Sequence, residues 1–573
     1  MGNVNMKYRS FNQLSGDDSW DALVIGSGIG GLASAALLAL YAGKKVLVLE
    51  RHYTAGGYTH VFQRPGYEWD VGLHYIGQVQ DETSIVRKAF DQITGGQPHW
   101  ASMPEVYDRF VIGQRAYEFV SGTERIRDRL NNYFPRESAG IDRYLKAVQS
   151  VAQGTDLYFA EKAIPHPIAF LVGPFLRAPL LRWARRTTAE VPAGFTQNQE
   201  LLGLLTAQWG DYGLPPQQSS FALHAIVANH YLEGANYPVG GASPVAETVA
   251  PAIERTGGKI VVNAEVAEIL LEHKRAVGVR LSDGREVRAP IVISDAGARN
   301  TFERLLPRNE ECHRKVAERI RAIPSSQAHL CLYVGVKETA ASLGITGTNI
   351  WVHPTPNHDA NLARFAADPE TAFPSVYISF PSAKDPDFAR RHPGRATVEV
   401  VTFTPYRWFQ PWQESNWRRR GPDYDAFKQQ WSDRLQEELI RQVPVLAGKI
   451  DHAELSTPLS TRHFMNYQQG EMYGLSGTPE RFRLRCLTPV TPIRDLYLTG
   501  QDVTSLGVTG ALFGGVLTAS AILRRNLMDT IAKGNIRKKK AKHEISKEGC
   551  TDPAKGCCEI RVFRGVGCRN ELG

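Results

Sequence analysis

The chain has 573 residues, 42% hydrophobic, 22% charged and 9% aromatic, which is long enough to bury a large core and excludes collagen, coiled coil and wholesale disorder. Its seven cysteines exclude a disulfide-stapled scaffold. The formal charge is +8, but residues 528–573 hold 11 basic and 6 acidic residues, so the body is close to neutral and a nucleic-acid partner is not expected.

Residues 1–19 are polar and read as a loose N-terminus. No apolar h-region follows Met1, so no secretory signal is expected and the compartment reads as cytoplasmic. Residues 21–25 form a short buried strand, 32–41 an Ala- and Leu-rich helix, and 45–50 a second buried strand. This βαβ opening implies a parallel sheet covered by helices. The stretch 22–43 is almost free of charge, but Gly26, Gly28, Gly30 and Gly31 mark a nucleotide-binding turn there rather than a membrane span. Residues 58–62 and 67–71 flank Arg64-Pro65-Gly66 as a hairpin, with Pro and Gly as a type II turn requires.

Residues 96–236 read as helical with aromatic punctuation. Within them, 163–186 combines apolar residues with Pro165, Pro167, Pro174, Pro179 and the arginines 177, 182, 185 and 186. The prolines argue against one long helix. The segment reads first as a lid or subdomain core, and second as a surface dipping into lipid headgroups. Strand patterns return at Lys259–Val262, 266–271, 276–281 and 290–294, then at 330–336, 376–380 and 397–403. A charged helix follows near 424–442, then a buried strand at 496–499 and a helix at about 510–527. The predicted organisation is a nucleotide domain in three pieces (20–95, 237–324, 486–527) with a second domain inserted in two (96–236, 325–485). Residues 528–573 read as a basic, disordered tail holding Cys550, Cys557, Cys558 and Cys568, whose spacing lacks paired CxxC motifs.

The chemistry-bearing motif is Gly26-Ser27-Gly28-Ile29-Gly30-Gly31, a G-x-G-x-x-G at the strand-to-helix junction. Gly26 allows the tight turn, Gly28 lets a pyrophosphate approach the backbone, and Gly31 lets helix and strand pack. The helix N-terminus then presents free N–H groups to the phosphates. Glu50, nineteen residues past Gly31, ends the second strand and can accept hydrogen bonds from both ribose hydroxyls, which disfavours the 2′-phosphate of NADP at this site. Arg51 follows it, and then Gly56 and Gly57, a second pair that lets backbone press on a cofactor. Near the C-terminus come Gly500, Asp502, Gly507 and Gly510 before a helix.

These late residues resemble the flavoprotein family that includes carotenoid desaturases and isomerases, monoamine oxidases and Rab GDP-dissociation inhibitors. The resemblance implies an α/β fold: a discontinuous Rossmann-like FAD-binding domain of the glutathione-reductase/amine-oxidase type with an inserted mixed α+β substrate domain. It implies that Asp502 touches the ribityl–pyrophosphate part of FAD, that the last helix faces the flavin pyrimidine, and that Val266 reads adenine through its backbone. Within the family, Ala55-Gly-Gly-Tyr-Thr-His60, Gly66-Tyr-Glu-Trp-Asp-Val-Gly-Leu-His-Tyr-Ile-Gly77, Tyr237-Pro-Val-Gly-Gly241, Ile378-Ser-Phe-Pro-Ser-Ala-Lys-Asp-Pro386 and Leu496-Tyr-Leu-Thr-Gly-Gln-Asp502 resemble the retinol-saturase branch. The blocks spread over residues 20–525. The chain departs from that branch in lacking its N-terminal targeting segment and in carrying the Cys-rich tail.

The implied activity is reduction of a C=C bond in an apolar polyene or isoprenoid, with hydride from reduced flavin N5 and a proton from His74, Tyr75, Tyr237, Tyr473 or solvent. Carotenoid desaturation, cis–trans isomerisation and non-catalytic prenyl-lipid binding of the GDP-dissociation-inhibitor type are the alternatives. NAD or NADP is the candidate electron donor, although no second dinucleotide fingerprint marks a site. Phe159, Phe170, Phe175, Trp183, Trp351, Trp408, Phe409 and Trp412 are candidate lining residues of a substrate tunnel. No metal site is expected, and the P-loop, zinc-protease, serine-hydrolase and C-x-x-C motifs are absent.

Overall fold

The computed structural model describes residues 9–10, 19–162, 166–307 and 311–534. Six parallel strands form the first sheet in the order Arg9–Ser10, Lys259–Val262, Val46–Leu49, Ala22–Ile25, Val292–Ser294, Leu496–Leu498. Its strands come from the start, middle and end of the chain and are held in register by pairs such as Ala22 with Val46 and Val292 with Leu23 and Leu496. Ala22, Leu23 and Val24 have no exposed surface. Burial on both faces is why these strands read as unbroken apolar runs rather than alternating ones. Arg9–Ser10 pairs with Val261 and Val262, so part of the stretch expected to be loose adds to the sheet edge.

The helix Ile29–Ala42 leaves the strand Ala22–Ile25, and the late helix Gly507–Leu523 packs on it. The contact is backbone on backbone. A Cβ on Gly515 would lie 2.6 Å from both Gly30 O and Ala33 Cβ, and one on Gly514 would collide with Gly500 O. Ser34 Oγ donates to Gly30 O at 2.9 Å and meets Thr499 Oγ1 at 2.9 Å, stitching the same seam.

The second sheet has seven strands, ordered Ile450–Ser456, Ala328–Val336, Ala396–Thr404, Val376–Ser379, Asn349–His353, Val106–Ile112, Arg115–Val120. It is antiparallel except where Asn349–His353 runs parallel to Val106–Ile112. Trp100–Ser102, Val106–Ile112 and Arg115–Val120 correct the expectation of a helical 96–236. Asp108 lies on the buried face of Val106–Ile112 with Phe110 and Ile112, and a charged residue at an inward position obscures the two-residue period. The hairpin Val61–Arg64, Tyr67–Asp70 forms as expected, with Gly66 at φ +85°.

The prolines do not break the segment after 163. His166–Ala184 is one helix with Pro174 and Pro179 inside it. Packing outweighs the missing hydrogen bonds: Leu180 and Ala184 are fully buried, and a Cβ on Gly154 of the neighbouring helix Ser138–Glu161 would be 3.2 Å from Leu180 N. Its outer face leaves Leu171 71% and Phe175 81% exposed. Among the described residues no helix is long and apolar enough to cross a membrane. The predicted tail begins too early, because Leu527–Ala532 is a helix with Leu527 and Ile531 buried. The four tail cysteines lie outside the described residues.

The seam between the first and late helices sets a test. Gly515→Ala overpacks it and costs about 1–3 kcal/mol, to be read as a lowered denaturation midpoint of the purified chain.

Candidate cofactor and substrate site

The turn after Ala22–Ile25 is shaped by glycine. Gly26 stands at φ +95°, and its N–H donates to Leu49 O at 2.9 Å. A Cβ on Gly31 would collide with Gly26 O, and one on Gly30 would lie 2.5 Å from Gly500 Cα. Gly56 and Gly57 both have left-handed φ, and a Cβ on Gly57 would lie 3.1 Å from Gly28 Cα. Two backbone loops therefore close over the start of Ile29–Ala42, whose N-cap residue, Gly28, has no side chain to cap it. This is a cradle for an anion.

Glu50 is anchored at its edge. Its Oε2 accepts Ser27 N–H at 2.9 Å and Ser27 Oγ–H at 2.7 Å, and its Oε1 accepts His52 N–H at 2.7 Å. Ala264 N–H donates to Glu50 O at 2.8 Å, which brings the strand opened by Val266 beside the acid. Arg51 turns away, donating to His463 O at 2.5 Å and pairing with Glu265 at 3.3 Å. It borders a polar cleft of about 1630 Å³ shared with Arg304, Arg420 and Arg462. At the other end, Asp502 Oδ2 accepts Ala298 N–H at 2.7 Å, while Asp502 Oδ1 is buried with no hydrogen bond and only the Arg481 guanidinium at 3.5 Å. An orphaned carboxylate oxygen on a cavity wall suits a ligand hydroxyl. The N-cap residue of the late helix, Leu506, makes no side-chain hydrogen bond, and its first amide, Gly507 N–H, donates to Gln501 Oε1 at 3.3 Å.

One cavity of about 840 Å³ runs from this cradle into the substrate side. Gly28, Gly57, Asp502 and Gly507–Gly510 border one end; Tyr231, Trp351, Tyr377 and Phe403 border the other. Of the predicted lining residues, Phe159 and Trp351 reach it. Phe175 is exposed, Trp183 packs on Phe221, and Trp408, Phe409 and Trp412 belong to a separate core with Trp431 and Phe427. The Phe170 side chain lies outside what is described.

His74, Tyr75 and Tyr473 border the cavity. His74 Nδ1 lies 2.7 Å from Glu399 Oε2, a carboxylate with no exposed side-chain surface, which leaves Nε2 for a ligand. Tyr75 donates to Asp211 at 2.8 Å. Tyr473 holds its place by accepting Gln501 Nε2–H at its carbonyl, 2.9 Å. Tyr237 does not join them. Its hydroxyl donates to Asp70 inside the core, so it clamps the hairpin rather than facing a substrate.

Residues 24–93 match the sequence family described as an NAD(P)-binding Rossmann-like domain. All-trans-retinol 13,14-reductase of Danio rerio is 38% identical to the chain over 526 residues, covering 88% of this chain and 86% of the relative. The chain belongs to the all-trans-retinol 13,14-reductase family. The family also holds a Danio rerio protein named an inactive all-trans-retinol 13,14-reductase, 33% identical over 89% of this chain and 87% of its own. Among solved structures, cyclohexylamine oxidase from Brevibacterium oxydans IH-35A has the same fold, with TM-score 0.56 at 17% identity, covering 90% of this chain and 99% of that one.

In this retinol 13,14-reductase family member, sequence reasoning missed five charged residues. Lys384 donates to His74 O at 3.0 Å and to Ser379 Oγ at 2.8 Å, and burial brings its ammonium down to about 8 against the pull of Glu399. Glu399 orients His74, while Asp108 and Asp211 share Tyr75. Asp295 follows the strand Val292–Ser294, at the carboxyl end where ligands of open parallel sheets bind, and that position was the available signal. Its carboxyl takes the Gly31 amide inside the cradle, and burial, then Glu50 and Asp502, push it up to about 8.

A neutral Asp295 can donate to a phosphate oxygen; an ionised one would repel it. The folded state therefore binds this proton more tightly than the unfolded chain, and the stability it contributes is full below about pH 4 and lost as pH rises toward 8. Asp295→Asn removes that loss. Its denaturation midpoint should exceed that of the parent chain by a gap that opens between about pH 4 and 8 and then stays level.

Proposed function

We propose that the chain is an FAD-dependent oxidoreductase that reduces a C=C bond of an apolar polyene, as the name of its 38%-identical relative indicates for that protein. The observation that carries the reading is the single cavity joining a diphosphate cradle to an aromatic, apolar wall. Gly26, Ser27, Gly28, Gly30, Gly31, Gly56 and Gly57 would hold the diphosphate, with Glu50 at the ribose, Arg51 near the adenosine and the Val266 backbone at adenine. Asp502, with Gly500 before it, would take a ribityl hydroxyl on its orphaned oxygen, and the amides opened by Gly507 and Gly510 would face the pyrimidine. When bound, FAD supplies the two-electron chemistry.

The chain supplies the proton and keeps out water. Glu399 fixes the His74 ring through Nδ1, so Nε2 is the proposed proton-delivering atom, with the Tyr75 and Tyr473 hydroxyls as the other groups at the cavity. The division into a three-piece cofactor domain and a two-piece substrate domain is part of the same proposal, supported by how the two sheets draw on the chain. NAD or NADP is the proposed reductant, and the arginines beside Arg51 suit its phosphates. The exposed Leu171 and Phe175, on a helix ending in Arg182 with Arg185 and Arg186 beyond, support docking on a lipid surface from which an apolar substrate is drawn.

Two measurements test this reading. Anaerobically reduced protein offered retinol and carotenoids should yield a product heavier by two hydrogens; unchanged mass with altered shape would indicate isomerisation instead, and a colourless protein that takes up no flavin would remove the cofactor assignment. Phe175→Glu combined with Leu171→Glu should lower sedimentation with anionic liposomes several-fold while the flavin spectrum stays unchanged.

A further inference from the structure

The aromatic wall of the cavity contains an acid. Asp211 borders the cavity from the short turn Ala207–Tyr212. A Cβ on the preceding Gly210 would lie 2.5 Å from Trp351 Cζ3, so the turn is pressed against that ring and Asp211 has no freedom to swing away. Among the described residues, Tyr75 is the hydrogen-bond partner of the Asp211 side chain, donating to Oδ2 at 2.8 Å. Tyr75 is itself fixed, its ring stacked on Tyr231 with centroids 4.3 Å apart.

The neighbouring acid is arranged differently. Asp108 has no exposed surface; its Oδ1 accepts from Asn349 Nδ2 at 2.9 Å, and its Oδ2 accepts from Gln208 Nε2 at 3.2 Å and from the Tyr75 hydroxyl at 3.3 Å. It holds the cluster together. Asp211 keeps an oxygen and part of its surface toward the cavity. A carboxyl group left in apolar surroundings is costly unless something meets it. Burial, and then the charge of Asp108, push Asp211 up to about 8, so near neutrality it can donate one hydrogen bond and accept another.

Resting on the polyene reading above, we infer that Asp211, set by Tyr75, hydrogen-bonds the terminal hydroxyl of a polyene alcohol and thereby selects the double bond next to the carbinol carbon. A chain of contacts leads from the acid to the cofactor end. Gly213, two residues on, packs on Tyr473, with a Cβ there 3.0 Å from Tyr473 Cδ2, and Tyr473 hangs from Gln501, which also receives Gly507 N–H at the start of the late helix. In retinol the 13,14 bond adjoins the carbon that bears the hydroxyl. An anchored hydroxyl therefore keeps that bond beside the cofactor end, while bonds nearer the ring are held farther along the cavity. A hydrocarbon of the same length would leave Asp211 desolvated and without a second partner. A site built to bond a hydroxyl rejects the analogue lacking it more strongly than an apolar pocket rejects a small change in size.

The test compares the flavin-loaded parent chain with Asp211→Leu, measuring the binding of all-trans-retinol and of its 15-deoxy hydrocarbon by fluorescence quenching, with flavin absorbance as the check on folding. The parent should prefer the alcohol by roughly tenfold or more, the scale of a hydrogen bond to a buried acid. Asp211→Leu should lose that preference by weakening retinol alone, and its reduced product should spread over several double bonds. Asp211→Asn, which keeps a donor and an acceptor, should retain most of the preference. If the Leu variant does not fold, Tyr75→Phe serves in its place and should narrow the preference by releasing Asp211. Equal affinity of the parent for alcohol and hydrocarbon would overturn the anchor and leave the polyene reading standing. Equal weakening of both ligands in the variants would do the same. A parent that binds neither would overturn both.

Discussion

The late helix can reach the first so closely because glycine and small residues line the crossing. Gly30, Gly500, Gly514 and Gly515 meet there, and a Cβ on Gly30, Gly514 or Gly515 would strike neighbouring backbone. This contact joins residues nearly 500 positions apart in the chain and makes Leu496–Leu498 the last strand of the parallel sheet. It also brings the N-termini of both helices to one cavity. Two positive dipole ends so near each other repel unless anionic or strongly accepting groups stand between them. Asp295 takes the Gly31 amide of the first helix, and Asp502, which takes the Ala298 amide, borders the same cavity. A dinucleotide would complete the same balance, which is why cradle, acids and helix seam form one unit.

The parts that were legible in the sequence are those whose physics is local. The glycines of residues 26–31 and Glu50 follow from turn geometry and strand length, and the Pro65-Gly66 turn follows from backbone preference. Tertiary context hid the rest. Val106–Ile112 was obscured as a strand because Asp108, at an inward position beside Phe110 and Ile112, is held by Asn349 and Gln208 in a buried polar cluster. The helix His166–Ala184 defied its prolines because Leu180 and Ala184 fill a core that only the assembled chain creates. Tyr237 looked like a donor because tyrosines can be donors, and only the fold shows that its hydroxyl is committed to Asp70. Trp408, Phe409 and Trp412 were indistinguishable by composition from cavity aromatics, yet they pack around Trp431.

The cavity wall combines two conflicting demands. An apolar polyene requires aromatic and aliphatic surface, which Tyr231, Trp351 and Phe403 provide. Proton delivery and hydroxyl recognition require polar groups, and each of these must be desolvated to stand beside that surface. The chain resolves the conflict by pairing polar groups behind the wall. Glu399 supports His74, Asn349 and Gln208 support Asp108, and Lys384 lies among Glu399, Asp108, Asp70 and Asp211 as a buried counter-charge. His74 and Tyr75, which face the cavity, are thus held by acids behind or beside them, so little reorganisation is left for the moment of binding. This arrangement also makes the site fragile in a specific way. Loss of a hidden partner leaves the exposed member charged, mobile or unpaired, and that is more damaging than loss of an apolar contact. A family member could therefore keep its glycine cradle and its fold while losing activity through one change behind the wall.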